Sequence, residues 1–262
     1  MMGFRVLLFK ELREQLRTKR LVAVVVVFVI FGVLGVLTDR YMKQLFDAMG
    51  TGAGTGAESS TIKSLIPSPS LDGVATQIIK NLSQFGIICA LLLAMGSVAW
   101  EKDRGTAGMI LTKPASRAAF LGAKLIAISI TLGVAMALGC AFAYLYTLLL
   151  YPSVFPIGGY VAMALLMWWM GVAFAAVTLL GSTLTRSAIA AAGIGLVALL
   201  ITGIAGALPH IGPYMPSSLG DPAQKLMLGH DAGQILGPVL FNIALVPVLL
   251  GISWLAFRRQ EL

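Results

Sequence analysis

Leu21–Leu37 reads LVAVVVVFVIFGVLGVL, seventeen consecutive residues without a charged or amide side chain. A bilayer core is about 30 Å thick, so a spanning helix needs roughly 17–25 mostly apolar residues. Five further segments have the same character: Phe85–Trp100, Leu125–Leu150, Tyr160–Gly181, Ala188–Leu208 and Ile235–Phe257. None of the six contains Asp, Glu, Lys, Arg or His. Lipid offers backbone groups no hydrogen bonds and strand alternation is missing, so each segment is predicted as a helix. The second is short enough to start nearer Leu82, and the third is long enough to tilt or project. The first has no small-residue cleavage site after it and reads as a retained anchor.

The composition agrees. Of 262 residues, 58% are apolar and 11% charged, with mean hydropathy +0.91, against about 45–50% and about 25% in soluble chains. Too few charges remain to cover a water-facing surface, which excludes an ordinary soluble enzyme. Collagen, disulfide scaffolds and disordered tails are excluded as well. Cys89 and Cys140 lie in apolar runs and read as packing residues.

The net charge of +8 is explained by its placement, without a nucleic-acid partner. Six spans put both termini on one side. Fourteen of the nineteen basic residues fall on that side: Arg5, Lys10, Arg13, Arg17, Lys19 and Arg20 before the first span, Lys102, Arg104, Lys113, Arg117 and Lys124 between the second and third, then Arg186, Arg258 and Arg259. Arg40, Lys43, Lys63, Lys80 and Lys225 fall on the other. Basic residues concentrate on the cytoplasmic side. The expectation is an all-α protein of the cytoplasmic (inner) membrane with six transmembrane helices and cytoplasmic termini.

Four segments lie outside the spans. Residues 1–20 place Phe4, Leu7, Leu8, Leu12 and Leu16 near helical spacing among charges, which predicts an amphipathic helix on the cytoplasmic lipid interface or a plain topology signal. The remainder, 21–262, forms the membrane domain. Its outer loop, 38–84, begins with a helical DRYMKQLFDAM, continues through a flexible GTGAGTGAESS, breaks at Pro67 and Pro69, and re-enters by a short helix from Leu71 to Leu82. The glycine-rich stretch has no Gly-Lys-Ser/Thr ending and is rejected as a phosphate cradle. In the cytoplasmic connection, 101–124, Arg104-Gly105-Thr106 opens a short helix capped by Thr106, Pro114 ends it, and Ser116 caps the next. That is an exposed knob suited to another protein's grip, or an ordinary solvated loop. The outer connection, 209–234, is apolar and proline-rich and should fold against the bundle mouth; His210 and His230 there give only a weak metal signal.

No span carries an ion-coupling charge, a paired carboxylate or an activated nucleophile; Asn242 is the strongest polar residue at depth. A Walker motif is missing too, so any energy from ATP must come from a partner. The spans do carry small residues four apart: Gly133 and Ala137, Ala191 and Gly195, Gly203 and Ala207. This spacing suits close helix packing within the chain or to a second copy, although small residues are common in membrane helices generally.

Leu91–Lys124 reads LLLAMGSVAWEKDRGTAGMILTKPASRAAFLGAK. A span ending in Glu, a charged turn with Gly-Thr, an apolar helix, a Pro-x-Ser-Arg and a Lys entering the next span together resemble the membrane subunits of ABC-2-type transporters. The order of an interfacial helix, six spans and a large first outer loop is similar across essentially the whole chain. The resemblance implies a permease subunit, an exporter half that pairs with a second copy or a relative and with two cytoplasmic ABC ATPase subunits. It implies no cofactor in this chain, with ATP and Mg held by the partner. It also implies that Glu101, Arg104, Gly105 and Thr106 lie at the ATPase contact, with Pro114, Ser116 and Arg117 shaping its far side. The charge-free spans favour a hydrophobic or amphiphilic cargo. The alternative is a non-transporting anchor or sensor that uses an ATPase partner, motivated by the long outer loop.

Overall fold

The computed structural model describes residues 2–50, 69–105, 116–230 and 236–259. Among them every regular element is helical: α1 (Met2–Arg17), α2 (Arg20–Gly50), α3 (Leu71–Asp103), α4 (Arg117–Leu150), α5 (Ile157–Leu184), α6 (Ala188–Gly206), α7 (Gly220–Met227) and α8 (Leu236–Arg258), with 3-10 turns at Gly212–Tyr214 and Pro216–Leu219. Six of these are long and apolar enough to cross a membrane: α2 over Arg20–Met42, then α3, α4, α5, α6 and α8. The all-helical, six-span class predicted from the apolar runs holds, and the chain is a multi-pass membrane protein.

The helices run beyond their apolar segments. Leu71–Leu82 is continuous with the second span, in one unbroken α3 whose cap is Ser70, its hydroxyl accepting from Gly73 N at 3.0 Å. α4 likewise begins eight residues before the apolar run, at Arg117. Helix geometry saves backbone hydrogen bonds whether or not the side chains are apolar. Polar side chains in these extensions therefore need partners on neighbouring helices.

α5 occupies the centre, packing on α3, α4, α6, α7 and α8, with Met163, Met167, Met170, Phe174 and Leu179 fully enclosed. α2 crosses α4 at close range. A Cβ on Gly32 would lie 2.9 Å from Gly139 O, and one on Gly139 would lie 2.8 Å from Phe28 O. Only glycine permits that approach, the small-residue logic of helix association in lipid. α3 is fastened to α5 by Ser182, whose buried hydroxyl accepts from Val98 N at 3.1 Å and Ala99 N at 2.9 Å and donates to Met95 O at 2.9 Å.

At the end where α3 starts and α4 finishes, Asp39 ties three elements. Its carboxylate accepts from Ser70 N at 3.0 Å and from the Tyr151 hydroxyl at 2.6 Å. Burial, then this hydrogen bond, pushes the Tyr151 phenol well above its ordinary value. The segment from Gly212 to Met227 folds down beside this end, burying Leu219, Ala223 and Met227. Gln224 Nε2 donates to Thr76 Oγ1 at 2.9 Å. Asn242 joins α8 to the first 3-10 turn by donating to Tyr214 O at 3.1 Å. His210 and His230 are both exposed.

Candidate functional site

The opposite end of the bundle gathers α1, the last turn of α3, the start of α4 and the last turns of α5 and α8. α3 stops where Gly105 adopts φ of +68°, with its N–H donating to Lys102 O at 3.1 Å. A Cβ there would meet nothing within 4 Å, so the requirement for glycine is conformational and not steric. Ser116 restarts the chain as the cap of α4, its hydroxyl accepting from Ala119 N at 3.1 Å.

Two cations then cap the carbonyl ends of other helices. Arg117 Nη1 donates to Phe257 O at 2.6 Å and Arg258 O at 3.0 Å, at the C-terminus of α8. Lys102 Nζ donates to Thr183 O, in the last turn of α5. Helix C-termini carry unsatisfied carbonyls and the negative pole of the helix dipole, so both placements are favourable.

Between these arms lies a closed ring of four charges. Lys10 Nζ is 3.1 Å from Glu11 Oε1 and 2.9 Å from Glu101 Oε1, while Lys124 Nζ is 3.1 Å from the same Glu11 oxygen and 3.0 Å from the same Glu101 oxygen. Signs alternate around the ring and cancel. Lys124 is 3% exposed and Glu11 9%, so the Lys124 side of the ring is shielded from water, where charge–charge attraction is strongest and an unmatched charge most costly, while the Lys10 side chain is 40% exposed. Burial by itself would lower the Lys10 pKa. The hydrogen bond to Glu101 and the charges of Glu11 and Glu101 outweigh it, and the ammonium is held above its ordinary value. It is therefore charged throughout the neutral range. The Lys124 ammonium also lies over Phe120, its Nζ 4.9 Å from the ring centroid. One turn on, Gln15 accepts from the Thr131 hydroxyl.

The ring forms one wall of a cavity of about 540 Å³ that also touches Thr18, Arg20, Ser97, Trp100 and Arg104. The Arg20 guanidinium sits 5.0 Å over Trp100.

Of the residues singled out for coupling, the structure brings Glu101 into the ring and Arg104 to the cavity rim, leaves Gly105 at the turn, and places Ser116 and Arg117 against α4 and α8. Thr106 and Pro114 lie outside the described residues. The apolar residues of α1 divide between the core and the surface. Leu7 is buried and Phe4 and Leu8 pack on the core, but Leu16 is 57% exposed. Glu11 and Gln15 share the inward face with Leu7, since positions four apart stack on one side of a helix. Glu11, Lys10 and Lys124 were not singled out as site residues. Their signal was faint: a Glu at the fourth position after an inward Leu, whose counter-ion lies 113 residues away.

The small-residue pairs separate by role. Ala191 and Gly195 are the buried members of α6, and a Cβ on Gly195 would run into Thr178 Oγ1 and come within 3.1 Å of Leu91. They serve packing within the chain. Gly133 and Ala137 line an apolar groove of about 550 Å³ between α4 and α5, with Tyr144, Tyr160 and Trp168. Gly203 and Ala207 are exposed, and a Cβ on Gly203 would meet nothing within 4 Å.

A family model described as "ABC-2 family transporter protein" matches residues 5–262 of this chain. An uncharacterized transmembrane protein of Bacillus subtilis (strain 168), YxlG, is 28% identical over 189 residues, covering 70% of this chain and 72% of that protein.

Proposed function

Because this chain belongs to the ABC-2 family of transporter proteins, a family of membrane transport components, we propose that it is the permease subunit of an ATP-driven exporter. In this reading the end bearing the ring faces the cytoplasm, two copies (or one copy and a relative) form the pathway, and two separate ATPase subunits grip the connection between α3 and α4. The observation that carries it is the anchoring of that connection. Its first arm is bonded to the end of α5, its second to the end of α8, and both meet on the charge ring. A segment held at both arms passes a displacement at its middle into the spans behind it. Packed helices slide or rotate as units when pushed in this way.

The spans expose Leu, Ile, Val and Phe outward, and the polar groups Thr131, Thr178, Ser182 and Ser253 among them are buried and hydrogen-bonded within the chain. Such walls suit a hydrophobic or amphiphilic cargo. ATP and its magnesium ion belong to the partner.

The test is mass determination of the intact complex, purified gently from the native host. Two copies of this chain with two cytoplasmic ATPase chains support the reading, and a lone chain overturns it. Arg104→Glu then localises the contact. Arg104 is exposed and makes no ion pair among the described residues, so the variant should insert normally yet lose ATPase from the purified complex.

A further inference from the structure

The charge ring reaches farther than the connection. Two of its members, Lys10 and Glu11, are neighbours on α1, one is in the last turn of α3, and one lies two turns inside α4. Each carboxylate presents a single oxygen to both ammonium groups, at 2.9–3.1 Å. Removing any member therefore breaks at least two ion pairs at once. Apolar residues of like size can hold buried helices together as well as a buried ion pair does. A charge ring adds direction, because an ammonium group at 3 Å accepts one arrangement of carboxylates where apolar side chains accept many.

The remaining hydrogen bonds of this end run to different helices, while Lys102 and Arg117 both lie over the Phe257 ring, each at 5.7 Å. Lys102 and Ser182 hold the end of α3 to α5, and Arg117 holds the start of α4 to α8. Among the described residues, the ring ties the two arms to each other directly, Glu101 to Lys124 at 3.0 Å, and ties α1 to both through Lys10 and Glu11.

We infer that Glu11 and Lys124 are positioning residues of the coupling connection: through the ring they make α1, the last turn of α3 and the first turns of α4 one body, so that the interfacial helix moves with the lever. The inference rests on the coupling reading above. It assigns α1 a working part beyond marking topology.

The test compares Lys124→Met, which keeps length and removes charge, with Lys124→Arg, which keeps charge. Amide exchange of residues 4–17 is followed on the full chain in lipid nanodiscs, with exchange of 157–184 as the control for folding. Phosphate release from ATP is followed on the complex with its ATPases. Lys124→Met should speed exchange in 4–17 by tenfold or more, leave 157–184 unchanged, and lower hydrolysis several-fold while the ATPases stay bound. Lys124→Arg should stay close to the unaltered chain in both readings. If Lys124→Met does not fold, Glu11→Gln, which keeps shape and removes one negative charge, should give the same pattern in weaker form. Unchanged exchange in 4–17 overturns the clamp. Faster exchange with full hydrolysis overturns the positioning role and leaves a structural tie. An unaltered chain that binds no ATPase overturns the coupling reading and the lever with it, whereas the exchange comparison still decides the clamp.

Discussion

Gly105, at φ of +68°, costs nothing as glycine and about 1–2 kcal/mol for a residue with a Cβ. Gly105→Ala is therefore expected to lower the thermal unfolding midpoint slightly and leave the rest of the fold intact, since the added methyl meets open space. Arg117→Ala removes two bonds to the carbonyl end of α8, at about 0.5–1.5 kcal/mol each and more for a charged donor. Faster amide exchange in residues 250–259, with α5 unaffected, is the expected readout. Both positions were legible in the sequence as a turn and a cap neighbour. The ring was not. Lys124 read as a topology-setting cation and as the lysine entering the third span, because nothing local reveals that a lysine eight residues past a cap meets carboxylates from two other helices.

At the scale of elements, the α2–α4 contact offers the sharpest contrast. A Cβ on Gly139 would lie 2.8 Å from backbone Phe28 O and 2.9 Å from Phe28 C. Backbone cannot swing aside as a side chain does. Gly139→Val should therefore force the helices apart and cost about 2 kcal/mol or more, read as a lower unfolding midpoint. Gly203→Val adds a larger side chain to an open face and should leave the midpoint unchanged. The spacing rule selected Gly203 and passed over Gly32 and Gly139, because small residues four apart are so frequent in membrane helices that spacing alone does not choose among them. What decides is which face the helix turns inward. Hydrophobic periodicity fails here, since both faces of a spanning helix are apolar. On α1 the inward face carries Glu11 and Gln15 beside Leu7. The existence and number of the spans, by contrast, were readable from run length alone, because the thickness of the bilayer sets the length of an apolar helix.

For the molecule as a whole, fourteen cations on the side of the termini against five on the other predict an orientation that labelling can check. Single cysteines at Arg13 and at His230, both exposed, are placed in a chain whose buried Cys89 and Cys140 are shielded. A membrane-impermeant maleimide added to intact cells should label His230→Cys and not Arg13→Cys. Disrupted cells should label both. The reverse result would invert the molecule and place the ring outside, beyond reach of any cytoplasmic ATPase.

The distance along the chain from Glu11 to Lys124, 113 residues, also sets an order of events during synthesis. Lys10 and Glu11 leave the ribosome first; Glu101 follows only at the end of the second span and Lys124 only at the start of the third. A nascent chain stopped before residue 101 should leave α1 open to protease. One extended through α4 should shield it. Closure of the ring is then a late molecular signature of correct insertion: a misthreaded third span would strand Lys124 away from two carboxylates and mark the product for quality-control proteolysis at its own N-terminus.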